Sequence, residues 1–175
     1  MKWRFVFNNH IILHPDFNTD PMPKFIGEFD GKIDAKGRVV LPVGLKKQLP
    51  DGTSDHLVIN RSFDKCLVIY TRDDWENETQ KLEGLNSFNQ LDRQFIRIFN
   101  NGATEVGLDT ANRILIPKKL SVYAEIESDV VLYAYDNKIE VWSKKNYEAQ
   151  MHIDPDEFSK MAEKVMSRKN ENSNG

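Results

Sequence analysis

The chain has 175 residues, and its 24 Lys and Arg residues against 27 Asp and Glu residues give a formal net charge of −3. Apolar residues make up 39% and charged residues 29%, which is enough to bury a core and excludes a wholly disordered polyelectrolyte. The single cysteine excludes an internal disulfide framework and a cysteine-based zinc cluster, so a reducing cytoplasm fits best.

The first 24 residues are predicted to form an irregular extension. They combine Asn, His and three prolines without a helical or alternating pattern. The apolar start of this segment ends at Asn8, so we expect no export signal. Because no stretch reaches the roughly 18 apolar residues of a membrane helix, we expect no membrane partner.

Two blocks of the sequence occur twice. Residues 33–42 (IDAKGRVVLP) align with residues 108–117 (LDTANRILIP) at an offset of 75. Residues 64–75 resemble residues 136–147 at an offset of 72, which implies a shorter loop in the second copy. The predicted parts of the chain are the extension over 1–24, tandem units over 25–101 and 102–150, and a C-terminal helix with a polar tail over 151–175.

Each unit is predicted to begin with a β-hairpin. An extended segment ends at Asp34 or Asp109, and a β-branched run returns the chain four residues later. Gly37 and Asn112 stand where a type I turn is followed by a left-handed residue. We expect the two aspartates to accept hydrogen bonds from the amides of their turns.

A short helix and a second hairpin are predicted next in each unit. Pro42 and Pro117 favour helix starts, with leucines such as Leu45 and Leu120 on the inner faces. The second hairpins are predicted over residues 57–60 with 66–70 and over residues 130–134 with 139–142. Each hairpin leads into a helix that carries Trp75 or Tyr147.

Two further helices carry apolar stripes. One spans about fourteen residues and is expected to pack into the core against the second unit. Its stripe consists of Phe88, Leu91, Phe95, Ile98 and Phe99. The other is an amphipathic C-terminal helix with an acidic first turn, and its pattern leaves open whether it packs on its own subunit or a neighbour. Its apolar residues are Phe158, Met161, Val165 and Met166, and the polar tail starts at Arg168.

The Asp-x-x-x-Arg turns at residues 34–38 and 109–113, each followed by an apolar strand and a proline-started helix, resemble swapped-hairpin domains of the AbrB and SpoVT type. Two such units with aromatic-bearing helices between them resemble the MraZ family of bacterial regulators, over about residues 22–150. The resemblance implies an α+β fold of two pseudo-symmetric swapped-hairpin units with short helices, sharing a core like a double-psi β-barrel. It also implies a non-enzymatic, sequence-specific DNA-binding regulator of the division and cell-wall gene cluster. Such a protein binds repeated boxes in double-stranded promoter DNA as a ring-like homo-oligomer in the nucleoid.

Charged residues of the turns support the DNA-binding prediction. Arg38 and Arg113 offer forked donors that suit phosphate oxygens or the O6 and N7 edge of guanine. Lysines flank the first turn and none flanks the second within the local sequence, so we expect Arg38 to contribute more than Arg113. The predicted DNA-binding residues are Lys32, Asp34, Lys36, Arg38, Asp109 and Arg113.

Other interpretations of the same residues stay open. Each Asp–Arg pair can simply close its turn, as an exposed ion pair worth about 0.2 to 1 kcal/mol. One copy favours that interpretation, whereas two copies at matched positions favour contact with DNA. Another alternative is an oligomeric protein-interaction scaffold whose arginines bind acidic protein surfaces.

No enzyme, metal or cofactor is expected. The four histidines lack metal-ligand spacing, and two of them, His10 and His14, fall in the predicted extension. Cys66 lies in a strand context that favours a small buried thiol. The sequence has no nucleophile elbow, phosphate-binding glycine loop or dinucleotide fingerprint.

Overall fold

The structure is a computed structural model that describes residues 25–172. The strands in that range are β1 (Phe25–Lys32), β2 (Arg38–Val40), β3 (Leu57–Arg61), β4 (Cys66–Thr71), β5 (Thr104–Val106), β6 (Arg113–Leu115), β7 (Asp129–Asp136) and β8 (Lys138–Ser143). The helices are α1 (Val43–Lys46), α2 (Arg72–Gln80), α3 (Gln90–Phe99), α4 (Lys118–Tyr123), α5 (Lys144–Met151) and α6 (Pro155–Asn172). The predicted extension over residues 1–24 lies outside the described residues.

Six strands form one antiparallel sheet in the order β1-β7-β8-β4-β3-β5, and β2 and β6 form a separate two-stranded ribbon. The order of the sheet is unchanged when each strand is replaced by its counterpart in the other repeat and the sheet is read from the opposite edge. A pseudo-twofold axis therefore passes between β4 and β8. The predicted α+β class is confirmed, as are the hairpins β3–β4 and β7–β8.

The first strand of each repeat pairs with the other repeat. β1 runs along β7 from the Phe25–Asp136 pair to the Lys32–Asp129 pair, and β5 runs along β3. The predicted hairpin is present only at its turn, where Ile33, the residue after β1, forms an antiparallel bridge with Val39 of β2. Beyond this bridge the hairpin prediction does not hold, because β2 forms its ladder with β6. In a swapped hairpin, strands of one unit pair with strands of the other, as β1 does with β7 and β2 with β6.

One apolar core joins the two repeats. At the centre of the ribbon, Val39 and Ile114 lie opposite each other with no exposed surface. Leu45 of α1 and Leu120 of α4 enter the same core from the two repeats, as predicted. Because apolar burial is the main stabilising contribution, and both repeats supply the buried side chains, we conclude that they fold as one unit.

Two helices leave apolar faces in solvent. α3 has ten residues, and the exposure of Leu91 and Ile98 shows that the predicted packing of this stripe into the core is wrong for the single chain. Phe99, at the end of α3, instead stacks on Trp75 of α2 with 5.7 Å between the ring centroids. α6 continues to Asn172, and its apolar residues between Phe158 and Met166 are also exposed.

Candidate nucleic-acid interface

The side chain of Asp34 closes the first Asp-x-x-x-Arg turn. Its Oδ1 accepts hydrogen bonds from the amides of Lys36 and Arg38, both at 2.9 Å. Its Oδ2 accepts a bond from Nε of Arg38 at 2.8 Å and lies 2.6 Å from Nη2 of the same guanidinium. Gly37 has a φ of +82°, the left-handed conformation predicted for this position, and its amide donates to the Asp34 carbonyl at 2.9 Å.

The second turn reproduces this arrangement. Asp109 Oδ1 accepts from the amides of Ala111 and Arg113 at 2.9 and 3.0 Å. Asp109 Oδ2 lies 2.8 Å from Nε and 2.7 Å from Nη2 of Arg113. Asn112 has a φ of +57°, which asparagine tolerates better than most residues. The predicted turn conformation and the predicted amide hydrogen bonds are confirmed in both copies.

Hydrogen bonding keeps both turn aspartates ionised. The side chain of Arg38 donates to Asp34 and, with two backbone amides, lowers the pKa of that carboxyl from 3.8 to about 2. Arg113 and its turn amides lower the pKa of Asp109 to about 2 in the same way. The hydrogen bond to Asp109 also raises the pKa of Arg113. Both aspartates are therefore ionised at neutral pH.

The ribbon places both arginines on its outer face. Arg38 lies opposite Leu115 and Arg113 lies opposite Val40. Because successive side chains of a strand point to opposite faces, these four side chains point away from the buried centre of the ribbon. Val40 is 53% exposed and Leu115 is 55% exposed. Sequence reasoning missed these two residues, because their exposure follows from the pairing of β2 with β6.

Each guanidinium is fixed on one side by its own turn. Nε and Nη2 of Arg38 face Asp34, while Nη1 lies 4.0 Å from Oδ2 of Asp109 in the other turn. The two turns thus meet across the ribbon. A guanidinium has five N–H donors, so the bonds to Asp34 leave donors of Arg38 for another partner. The side chains of Arg38 and Arg113 are partly exposed.

The two lysines predicted at the first turn differ in their surroundings. Lys32 ends β1, and its Nζ lies 3.5 Å from Asp129, which offsets part of its charge within the subunit. Lys36 is exposed in the turn itself. The structure therefore brings Lys36 together with Asp34 and Arg38, and it places Lys32 beside an acidic neighbour.

Two further lysines, which sequence reasoning missed, lie beside the turns. Nζ of Lys46 in α1 donates a hydrogen bond to Oδ1 of Asn112 in the second turn. Lys118, the first residue of α4, lines a cleft with residues 34–37 of the first turn. The fold therefore places a lysine beside the second turn, where the local sequence has none.

The strand exchange explains why each helix lies beside the opposite turn. Leu41, which follows β2, donates its amide to the carbonyl of Asn112 at 2.8 Å. Ile116, which follows β6, donates its amide to the carbonyl of Gly37 at 2.9 Å. α1 and α4 start two residues after these points. In the sequence, the Lys-Lys pairs at residues 46–47 and 118–119 could have indicated these basic positions. The turn that each pair lies beside is set by the tertiary structure and cannot be seen in the local sequence.

The histidines and the cysteine are the remaining candidates for chemistry. His56 Nδ1 lies 2.9 Å from Glu105 Oε1 at the surface, whereas His10 and His14 lie outside the described residues. Cys66 is fully buried, as predicted, and burial raises the pKa of its thiol to about 12. From residue 25 to residue 172, no three His, Cys, Asp or Glu side chains are grouped closely enough to hold a metal ion. Over the same range, no helix combines the length and apolarity needed to cross a bilayer.

Comparison with known proteins gives matches over most of the chain. A family model described as "MraZ protein, putative antitoxin-like" matches residues 25–98 and again residues 99–169. A transcriptional regulator MraZ from Cytophaga hutchinsonii is 39% identical over 82% of this chain and 95% of its own length. Proteins of that name from Christiangramia forsetii and Flavobacterium psychrophilum are 40% and 37% identical, over 83% and 88% of this chain and 94% and 99% of their own. These names describe regulators and not enzymes, in agreement with the prediction of a non-enzymatic protein.

Proposed function

The chain belongs to the MraZ family of transcriptional regulators, and we propose that it acts by binding double-stranded promoter DNA through the outer face of the β2–β6 ribbon and the two turns beside it. The observation that supports this most is the position of Arg38 and Arg113 on one face, each oriented by its own aspartate. A matched pair of oriented guanidiniums is more than turn closure alone requires.

The shape of the ribbon suits the major groove. Two antiparallel strands form an element that this groove, about 12 Å wide, admits. Arginine donors can bond the O6 and N7 atoms of guanine, and apolar side chains can contact the methyl group of thymine. Arg38 and Arg113 supply the donors, and Val40 and Leu115 supply exposed apolar surface between them.

The lysines around the turns suit the phosphate backbone. Lys36 is on the first turn with Lys118 beside it, and Lys46 lies beside the second turn. Their ammonium groups are point charges that bind phosphate without selecting a base. In this proposal the arginines read sequence, the lysines supply affinity, and the aspartates fix the arginine geometry.

One subunit offers few phosphate contacts, so the proposal includes a homo-oligomer. Specific complexes bury roughly 1,000 Å² or more of protein surface and neutralise several phosphates. A ring of subunits repeats the ribbon at regular intervals and suits promoters that carry repeated short boxes. As the family resemblance implies, we place this activity in the nucleoid, at the division and cell-wall gene cluster.

The alternative function is an oligomeric scaffold whose arginines bind acidic protein surfaces. A salt titration separates the two functions, because each protein–phosphate contact lowers the slope of log affinity against log salt by about 0.9. The titration uses the full chain, the DNA upstream of its own operon, and duplexes of unrelated sequence. Tighter binding to the upstream DNA with a steep salt slope supports the proposal. Failure to bind either DNA at low salt would favour the scaffold.

A further inference from the structure

The exposed stripe on α3 has the spacing of a helix-pairing seam. Its three exposed residues Leu91, Phe95 and Ile98 are separated by four and three positions, which is the a/d spacing of a coiled coil. Phe88, just before the N-cap Asn89, adds a further exposed apolar side chain, and the exposures run from 39% for Phe95 to 91% for Phe88. Contiguous exposed apolar faces of this kind commonly mark interaction surfaces.

An aromatic groove adjoins this seam. Phe99 stacks on Trp75 and contacts Phe95 and Phe63, with ring centroids 5.7 to 6.4 Å apart. Phe63 lies between β3 and β4 and is 82% exposed. The groove encloses about 430 Å³, and its lining includes Phe95 and Ile98 from the α3 seam. Its polar lining includes the cations of Arg61 and Lys138 and the carboxylate of Glu78.

α6 carries a second exposed seam. Phe158, Met161 and Val165 follow a three-then-four spacing and are 51 to 59% exposed, and Met166 widens the stripe. Methionine sulfur makes favourable contacts with aromatic rings, which suits the lining of the groove. The first turn of α6 holds Asp156 and Glu157, so its acidic end complements the two cations of the groove.

We propose that α6 of one subunit packs along α3 and into the aromatic groove of the neighbouring subunit. Both apolar faces are exposed in the chain, so α6 does not cover α3 of its own subunit. Two different complementary patches on one chain make a head-to-tail contact, and such contacts close into rings when the rotation between subunits allows it. The inference rests on the homo-oligomer of the proposed function and assigns its interface.

Single substitutions on each seam test this interface. Leu91→Glu on α3 and Val165→Glu on α6 place a charge in the seam, and we expect each to lower the oligomer mass measured by light scattering. Gln90→Glu and Ser167→Glu add the same charge on the other sides of these helices and serve as matched controls. Circular dichroism of each variant shows that the fold is retained.

Mixing the two seam variants tests the head-to-tail arrangement. The Leu91→Glu chain retains an intact α6, and the Val165→Glu chain retains an intact α3. We therefore expect the mixture to form heterodimers, in which α6 of the first chain packs on α3 of the second. Contacts between α3 and α3 would instead leave the Val165→Glu oligomer at full mass. Either that result or an unchanged mass for both variants would overturn the proposal.

Cross-linking identifies the contact directly. Cys66 is buried and its pKa is raised to about 12, so introduced cysteines react selectively. We expect a short bismaleimide to join an Ile98→Cys chain to a longer, tagged Val165→Cys chain. A monomeric mass for the wild-type protein would contradict the homo-oligomer of the proposed function. An oligomer that does not form this cross-link would contradict only the assignment of its interface to α3 and α6. Neither measurement uses DNA, so the result is independent of the DNA-binding proposal.

Discussion

Asp34 and Asp109 each satisfy two turn amides and fix one guanidinium, so a single side chain determines both the turn and the direction of its arginine. All of these partners lie within four residues of the aspartate. This locality is why the sequence was sufficient to predict the turn conformation and its hydrogen bonds.

The lowered pKa values of the two aspartates make the turns sensitive to acid. A carboxyl whose pKa is lower in the folded state stabilises the fold above its unfolded pKa, and this contribution is lost as pH falls through the folded pKa. For Asp34 and Asp109 that window runs from 3.8 down to about 2. We expect the unfolding free energy of wild type to approach that of an Asp34→Asn, Asp109→Asn variant across this range. Denaturant titrations at several pH values measure it, and a constant difference would contradict the assigned pKa shifts.

Gly37 and Asn112 hold the left-handed positions of the turns, with φ values of +82° and +57°. A side chain in the left-handed region costs roughly 1 to 2 kcal/mol, so we expect Gly37→Ala to reduce the unfolding free energy by about that amount. Asn112→Gly is the comparison variant: glycine adopts this conformation without a steric penalty, and the change removes only the hydrogen bond from Lys46 to the Asn112 side chain. Equal stability of Gly37→Ala and wild type in urea unfolding would contradict the strain argument.

At the scale of elements, the ribbon exists because β2 and β6 exchange partners between repeats. Periodicity predicted the strands and the two local hairpins, since hairpin partners are adjacent in sequence. It did not predict the pairings of β1 with β7 or β2 with β6, because alternation of side chains does not encode which strand is the partner. The positions of Val40, Leu115 and Lys46 in the candidate site depend on those pairings. The exposure of the apolar face of α3 was missed for a related reason, since amphipathic spacing does not distinguish a face that packs into the core from one that stays in solvent.

Lys46 offers a test of the exchanged geometry. If it contacts phosphate beside the second turn, Lys46→Ala should reduce the salt slope by about 0.9 for each subunit bound to DNA, with unchanged preference for promoter over unrelated sequence. Lys81→Ala is the control, because Lys81 lies after α2 and pairs with Glu78. An equal slope change in both variants would show that the effect is one of net charge and not of position.

At the scale of the whole molecule, the described residues from Phe25 onward contain a core shared by both repeats. Phe25 is itself buried in that core, and the family match also begins at residue 25. We therefore expect the part of the chain that folding requires to begin near Phe25.

We expect removal of residues 1–21 to leave folding and DNA binding unchanged, because the segment has no periodic apolar pattern that would bury it. Thermal unfolding and DNA titration of the shortened and full-length chains measure this. The shortened chain retains Phe25 and the whole of β1. A large loss of thermal stability would assign the segment a structural role.

An Arg38→Ala, Arg113→Ala double variant tests most directly whether the ribbon arginines bind promoter DNA. With Lys36 and Lys118 beside the first turn and Lys46 beside the second, we expect Arg38→Ala to lose more affinity than Arg113→Ala. If each arginine contacts guanine, each substitution should reduce the difference in binding free energy between promoter and unrelated DNA by roughly 1 to 3 kcal/mol per site. We expect the double variant to keep its circular dichroism and its oligomer mass while losing specific binding. Wild-type affinity and salt slope on promoter DNA in the double variant would contradict the claim and leave both turns with a structural role.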